Sequence, residues 1–396
     1  MKWISSFKYM RLCYNESVIR IKDTTQRVFF DNNVSGERVR IRFTNRYGNK
    51  TLSIEGASLG RAVDGRIVDY IPITLEKRKK ISLLPGEEAF SDEVSFRACP
   101  GERLVVSLYF KGEYEADSIC SFWSKKGATV SFEKGNSTFD DRHEDKPYEI
   151  IPQHMKEDPN TGDMSIFTGF DALQVLSDDE VKVVAAYGDS ITHMSMFTDE
   201  LYRRIREEYK GKAALLNCGI GGNRLISDAT VEPVSGKQLI FFGEAGVKRF
   251  ERDVFDIDEV DSVCVLEGIN DIMHPLQLEG KDETVSAKEI IDGYKKLAKT
   301  AHAAGAEIYF GTVTPCWNPD YPSEWFLKFE TVRNSVNDWI RQCDGIDGFF
   351  DYDKALLDPQ KEGCMKEGCH IGDGLHPNSE GGSLMAAAVD LKTVIG

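Results

Sequence analysis

Residues 181–195 read VKVVAAYGDSITHMS. An apolar run from Val183 to Tyr187 breaks at Gly188 and then presents Asp189, Ser190 and Thr192. A short continuous apolar run reads as a strand buried on both faces, the kind that builds parallel sheets. Ser190 then stands just past the carboxyl end of a strand, which is where open α/β sheets bind ligands. It is either a nucleophile or the cap of the next helix, because Ser and Asp are favoured N-cap residues. Read alone, the stretch favours the cap.

The same pattern recurs downstream. Short apolar runs stand at 213-AALLNCG-219, 262-SVCVLEG-268 and 307-EIYFGTV-313, with helical periodicity between them. The clearest helix spans 286–305. Ile290, Ile291, Tyr294, Leu297, Ala298 and Ala301 form one stripe, Ser286 with Glu289 makes a capping box, and Gly305 ends it. Further helices are expected over about 324–343 and 379–395. Strand–helix alternation predicts an α/β fold with a doubly wound parallel sheet.

Upstream the period changes. In 38-RVRIRFTN-45, Val39, Ile41 and Phe43 alternate with polar residues, which marks a half-buried strand. Residues 47–50 read as a turn and 51–60 as its hairpin partner. More strands are expected at 79–84, 93–98 and 103–110, separated by Pro-Gly turns, and no helical period appears. Many short strands of this kind predict an antiparallel β-sandwich. The polar stretch 134–149 reads as loop. The domain boundary is placed near 177-SDDE-180, giving a sandwich domain over 1–178 and an α/β domain over 179–396.

The chain's 396 residues suit two domains, and 41% apolar content suffices for a sizeable core. A formal net charge of −16 argues against nucleic acid and anionic membranes as partners. The N-terminus lacks the apolar core of a secretory signal, and no stretch reaches the length of a membrane span. Nine scattered cysteines fit reduced thiols, so a cytoplasmic location is expected. Cys364, Cys369 and His370 do not match zinc-ligand spacing, so neither a metal nor a cofactor is expected. Reduced thiols come first there, an oxidised pair second. The expected partner is a small-molecule or oligosaccharide ester, and a homo-oligomer is compatible with the sequence.

Three later segments decide between nucleophile and cap. In 217-NCGIGGNRL-225 the glycines let backbone N–H groups point into a cavity, as an oxyanion hole requires. In 268-GIND-271 an amide could donate into the same crevice, or the pair could simply form a turn. In 373-DGLHPN-378, Asp373 and His376 face the same way on a turn, so the carboxylate can hold Nδ1–H and leave Nε2 as a base.

In chain order, GDSIT at 188–192, NCGIGGN at 217–223, GIND at 268–271 and DGLHP at 373–377 resemble the four blocks of the SGNH (GDSL) hydrolase superfamily. The resemblance covers about residues 181–396. It implies a flavodoxin-like three-layer domain, with helices on both faces of the sheet, and a serine esterase mechanism. By position it makes Ser190 the nucleophile, His376 the base and Asp373 its orienting acid. The implied oxyanion hole is the Ser190 N–H, the Gly222 N–H and the Asn270 amide. Asp189 becomes a turn-holding residue at the edge of the pocket. Arg224 stands where a small hydroxylated residue is usual, and either meets a substrate carboxylate or pairs with a surface acid. His193 and His274 either line the pocket or are merely packed.

Aromatic residues in 315-PCWNPDYPSEWF-326, notably Trp317, Tyr321 and Trp325, offer flat faces to a sugar ring or an acyl chain. Alternatively, Trp325 and Phe326 start the next helix and pack into the core. The N-terminal sandwich, jelly-roll-like by resemblance, looks like the front domain of two-domain carbohydrate esterases that remove acetyl groups. The expected function is therefore an acetylesterase acting on acetylated oligosaccharides. Lipase, arylesterase and thioesterase activities on non-sugar esters are the first alternative, because fold does not fix substrate. A glycan-binding protein with a vestigial hydrolase domain is the second.

Overall fold

The computed structural model describes residues 1–141, 148–157, 164–318, 321–342 and 345–396. Contacts between Cα atoms divide the chain into two units. One comprises Met1–Val181 with Ile205–Leu216, the other Lys182–Arg204 with Asn217–Gly396.

Five strands build the parallel sheet: β1 (Lys182–Gly188), β2 (Ala213–Gly219), β3 (Ser262–Leu266), β4 (Glu307–Gly311) and β5 (Gly348–Phe350). Their order is β2-β1-β3-β4-β5, the flavodoxin-like doubly wound order. β1 with β3, β3 with β4 and β4 with β5 run parallel. From Val183 to Gly188 every residue of β1 is buried. That is why the sequence there shows no alternation. Gly188 lies opposite Leu266 in register, so β1 and β3 deliver their following residues to the same end of the sheet. The fifth strand was not anticipated. It has three residues and only Phe350 is buried, too little for any periodic signal.

The connecting helices are α1 (Ser190–His193), α2 (Met196–Glu208), α3 (Gly246–Phe255), α4 (Ile269–Gln277), α5 (Ala287–Ala303), α6 (Ser323–Gln342), α7 (Tyr352–Leu356), α8 (Ser379–Ala388) and α9 (Leu391–Ile395). α5 starts with the expected capping box, in which Ser286 and Glu289 bond each other's backbone. It buries Ile290, Tyr294, Leu297, Ala298 and Ala301. Burial of each of its large aliphatic side chains contributes about 1.5–3 kcal/mol. The single helix expected over 379–395 is two. Val389 is extended, and Asp390 caps α9 by accepting from the Lys392 N–H. Among the described residues, no helix is long and apolar enough to cross a membrane.

The other unit contains two main antiparallel sheets. One orders Lys2–Lys8, Phe170–Ser177, Gly36–Thr44 and Val94–Ala98, with Glu88–Phe90 also paired to Gly36–Thr44. The second orders Ala128–Lys134, Ile19–Asp31, Arg103–Ala116, Gly56–Val63 and Arg66–Pro72. Phe7 of the first sheet stacks on Phe30 of the second with ring centroids 4.5 Å apart. Val39, Ile41 and Phe43 are fully buried, as the alternation requires.

The expected hairpin between 38–45 and 51–60 does not form. Gly36–Thr44 pairs with Phe170–Ser177, a strand far away in sequence. Residues 51–60 split at Glu55. Leu52–Ile54 pairs with Ile81–Leu83, while Gly56–Val63 joins the second sheet. The interruption at Glu55-Gly56 ends one pleat and starts another, as glycine within a strand pattern often does. A one-turn helix, Gln153–Glu157, also appears where no helical period was evident. Within the expected loop 134–149, residues 142–147 lie outside the described residues, as does Cys343. Cys13, Cys99, Cys120, Cys264, Cys316, Cys364 and Cys369 are free thiols.

Candidate active site

β1 ends in Gly188, and α1 begins two residues later with Ser190. Asp189 caps α1, its Oδ1 accepting from the Ile191 N–H at 2.9 Å. Ser190 is therefore the first helical residue, where free N–H groups and the helix dipole favour negative charge. It remains partly exposed.

His376 reaches it from the far end of the chain. His376 Nε2 lies 2.8 Å from Ser190 Oγ, and His376 Nδ1 lies 2.5 Å from Asp373 Oδ2. The other carboxylate oxygen of Asp373 accepts the Leu375 and His376 N–H groups, both at 2.9 Å. Burial alone would raise the Asp373 pKa. The bonds from His376 and Leu375 outweigh it and bring the carboxyl down to about 2, so it stays ionised beside the imidazole.

The loop carrying both residues is closed on itself. The Asn378 N–H donates to the Cys369 carbonyl and the Ile371 N–H to the His376 carbonyl, both at 3.0 Å. His370 Nδ1 accepts the Gly372 and Gly374 N–H groups at 3.0 and 3.1 Å. Asn378 then caps α8 through its side chain. His370, weighed in the sequence as a metal ligand, thus spends a ring nitrogen on this loop. Among the described residues, no group of three His, Cys, Asp or Glu could hold a metal ion.

The three donors expected of an oxyanion hole are the Ser190 N–H, the Gly222 N–H and the Asn270 amide. Among the described residues, neither the Ser190 N–H nor the Gly222 N–H has a protein acceptor. The Asn270 amide donates one hydrogen to the Asn223 carbonyl at 2.9 Å, which aligns the side chain and leaves its second hydrogen. Gly222 has φ of +71°, and a Cβ there would sit 2.1 Å from the Phe242 ring. Glycine is required both for the conformation and for the space.

Asp189 and His193, expected at the pocket, lie beneath its surface at 1% and 2% exposure. Burial pushes the Asp189 carboxyl up to about 7. His193 Nδ1 accepts the Gly221 N–H at 3.1 Å. Trp317, Tyr321 and Trp325 are partly exposed. Tyr321 meets Trp317 at 5.7 Å and Trp325 at 6.3 Å between ring centroids. Their loop borders the Asp373–His376 segment, since a Cβ on Gly374 would lie 3.6 Å from the Trp317 carbonyl oxygen. Trp325 and Phe326 do start α6, yet both are only half-buried. Arg224 pairs with an acid, Glu279, at 2.8 Å, and the pair is partly buried. His274 is packed, its Nδ1 2.7 Å from Thr230 Oγ1, and burial with Arg224 nearby pulls its pKa down to about 3.

Three supporting side chains were given no role in the sequence reading. Arg249, wholly buried, donates to the Gly188 and Cys218 carbonyls and to Asn223 Oδ1. Asp271 accepts the Leu225 and Ile226 N–H groups at 2.6 and 3.0 Å, pinning the chain after the glycine loop. Glu267 is buried, and among the described residues neither of its carboxylate oxygens has a hydrogen-bond partner. Burial, with Asp189 beside it, raises its pKa well above the usual range. The one available signal was Arg249 on the stripe that also carries Gly246, Phe250 and Val254, the buried face of α3.

The family model described as GDSL-like Lipase/Acylhydrolase family matches residues 186–384. Among solved structures, an acetyl xylan esterase from Geobacillus stearothermophilus aligns at 18% identity, covering 54% of this chain and 94% of that one, with a TM-score of 0.40. A GDSL-like lipase from Bacteroides thetaiotaomicron VPI-5482 aligns at 19% identity, covering 54% and 87%, with a TM-score of 0.36. No curated protein matches the chain.

Proposed function

The chain belongs to the GDSL-like lipase/acylhydrolase family and is a carboxylic ester hydrolase, and from that premise we propose that it cleaves O-acetyl esters of carbohydrates through an acyl-Ser190 intermediate. One observation carries the reading: the unbroken relay from Ser190 Oγ to His376 Nε2 at 2.8 Å, and from His376 Nδ1 to Asp373 at 2.5 Å.

A serine hydroxyl is a weak nucleophile until a base takes its proton. In the proposed course, Ser190 Oγ attacks the ester carbonyl carbon while His376 Nε2 accepts the proton. Negative charge moves to the former carbonyl oxygen, which the Ser190 and Gly222 N–H groups and the Asn270 amide receive. As the tetrahedral species collapses, the sugar oxygen leaves with the proton from His376. A water then attacks the acyl carbon, gives its proton to His376, and releases acetate; Ser190 recovers its proton. Asp373 stays ionised throughout, holding the Nδ1–H tautomer and stabilising the imidazolium.

The sugar half of the proposal rests on the Trp317, Tyr321 and Trp325 rings beside the catalytic loop. Such faces suit the C–H face of a pyranose. The test is acetate release from acetylated oligosaccharides, with mass spectrometry to locate the cleared positions, alongside nitrophenyl esters of increasing acyl length. Wild type should release acetate, and Ser190→Ala should lose the activity by orders of magnitude. An unchanged rate in Ser190→Ala would remove the nucleophile assignment. Cleavage of long-chain esters alone would leave the hydrolase and discard the sugar.

A further inference from the structure

We infer that His193 is a positioning residue that locks the oxyanion loop to the nucleophile's own helix, through its Nδ1 and the Gly221 N–H. The inference rests on the esterase reading of Ser190 and Gly222.

α1 is a single turn, with Ser190 at its start and His193 at its end. The side chain of His193 is buried and its Nδ1 accepts the Gly221 N–H at 3.1 Å. Gly221 directly precedes Gly222, whose N–H is a proposed oxyanion donor. The imidazole therefore orients the Ile220–Gly221 peptide, one peptide before the one that carries the Gly222 N–H. For Nδ1 to accept, the ring proton must sit on Nε2.

The contact is supported on both sides. The end of β2 lies directly on the backbone of α1, since a Cβ at Gly219 would stand 2.4 Å from the His193 nitrogen. Asn217 donates to the Thr192 carbonyl at 2.8 Å and to Ser195 Oγ at 3.1 Å. These bonds bring the strand end to the helix. They stop at Gly219, and the Ile220 N–H turns back to the Gly188 carbonyl. Beyond that, the Asn223 N–H closes a turn on the Ile220 carbonyl at 3.2 Å, and the two glycines inside it supply no side chain. The His193 bond holds the 220–221 peptide of this turn from its N–H edge, and through it the turn that presents the Gly222 N–H. An unheld Gly-Gly segment samples many orientations, and a misaligned donor weakens the transition state more than the ground state.

Substitution separates this role from packing. Asparagine places Oδ1 where the imidazole has Nδ1, glutamine places its polar group near Nε2, and leucine keeps bulk without an acceptor. Kinetics on nitrophenyl acetate should show His193→Asn within about threefold of wild type. His193→Gln and His193→Leu should lose kcat by roughly 10–100-fold with KM within threefold, below the 10²–10³ seen when a donor is removed outright. Inactivation by an organophosphate, which also needs the oxyanion hole, should slow in parallel. Retention of kcat by Gln and Leu, or an Asn variant as impaired as Leu, would overturn the inference. If Leu fails to fold by circular dichroism, the Asn–Gln pair decides alone. Ser190→Ala, assayed beside them, distinguishes failure of the esterase reading itself.

Discussion

Arg249 donates to the carbonyl of Gly188 at 2.8 Å, across 61 positions in the chain. The same guanidinium reaches the Cys218 carbonyl, Asn223 and Asp253, and it lies over the Tyr187 ring at 4.1 Å. One buried cation thus ties the ends of two strands to the glycine loop. Removing it takes a buried charge-assisted bond from each of these groups, although Gly188 keeps the Ile220 N–H and Asp253 keeps Arg252. Arg249→Ala should lower the unfolding free energy by about 3–5 kcal/mol, read by urea denaturation. Arg249→Lys should recover only part of this, because a single ammonium cannot serve the same fork of acceptors.

Asp373→Asn keeps the shape of the catalytic loop and removes its charge. The amide can present a hydrogen to Nδ1 and so favour the wrong imidazole tautomer. kcat on nitrophenyl acetate should fall by roughly 10²–10⁴ with an unchanged circular dichroism spectrum. The carboxyl's depressed pKa, about 2, also makes it stabilising above the ordinary carboxylate range. That contribution is lost as pH falls from about 4 through 2. Acid denaturation of Asp373→Asn should be correspondingly flatter in that window.

Buried Asp189 has the opposite sign. Its folded pKa, about 7, stands above its ordinary value of 3.8. Its contribution is present below pH 4 and is lost as pH rises through 7. Asp189→Asn retains the oxygen that accepts the Ile191 N–H, so it should be more stable than wild type at pH 8, by up to about 4 kcal/mol. Asp271, raised to about 6, adds a slope of the same sign. His274, lowered to about 3, is stabilising as a neutral ring above its ordinary 6.5 and loses this as pH falls toward 3. His274→Asn should therefore remove acid sensitivity that Asp189→Asn exposes. Thermal melts of both variants from pH 4 to 8 check the two slopes; equal slopes in all three proteins would contradict the assignment.

Gly222→Ala meets two obstacles, a left-handed backbone and the Phe242 ring. Stability should fall by about 1–2 kcal/mol, and kcat by roughly 10²-fold as the donor tilts away. Adding Phe242→Ala relieves the clash but not the backbone conformation. The double variant should recover some stability and little of kcat.

The sequence by itself determined the local elements and the chemistry of the site. The ends of β1 and β2 and the capping box of α5 follow from period and turn residues, while the grouping of Ser190, Gly222, Asn270, Asp373 and His376 comes from the resemblance of four motifs to one family. The former are short-range properties, set by sterics and hydrogen bonding within a few residues. What the tertiary structure alone decided is partnership at long range. Gly36–Thr44 pairs with a strand more than a hundred residues later because both present matching apolar faces, and many strands in the chain do. Arg249 and Glu267 are legible only after folding, because burial and partner geometry, rather than residue type, give them their roles. His193 belongs to the same class: its sequence position places it near Ser190, but only the packing of β2 against α1 brings the Gly221 N–H to its Nδ1.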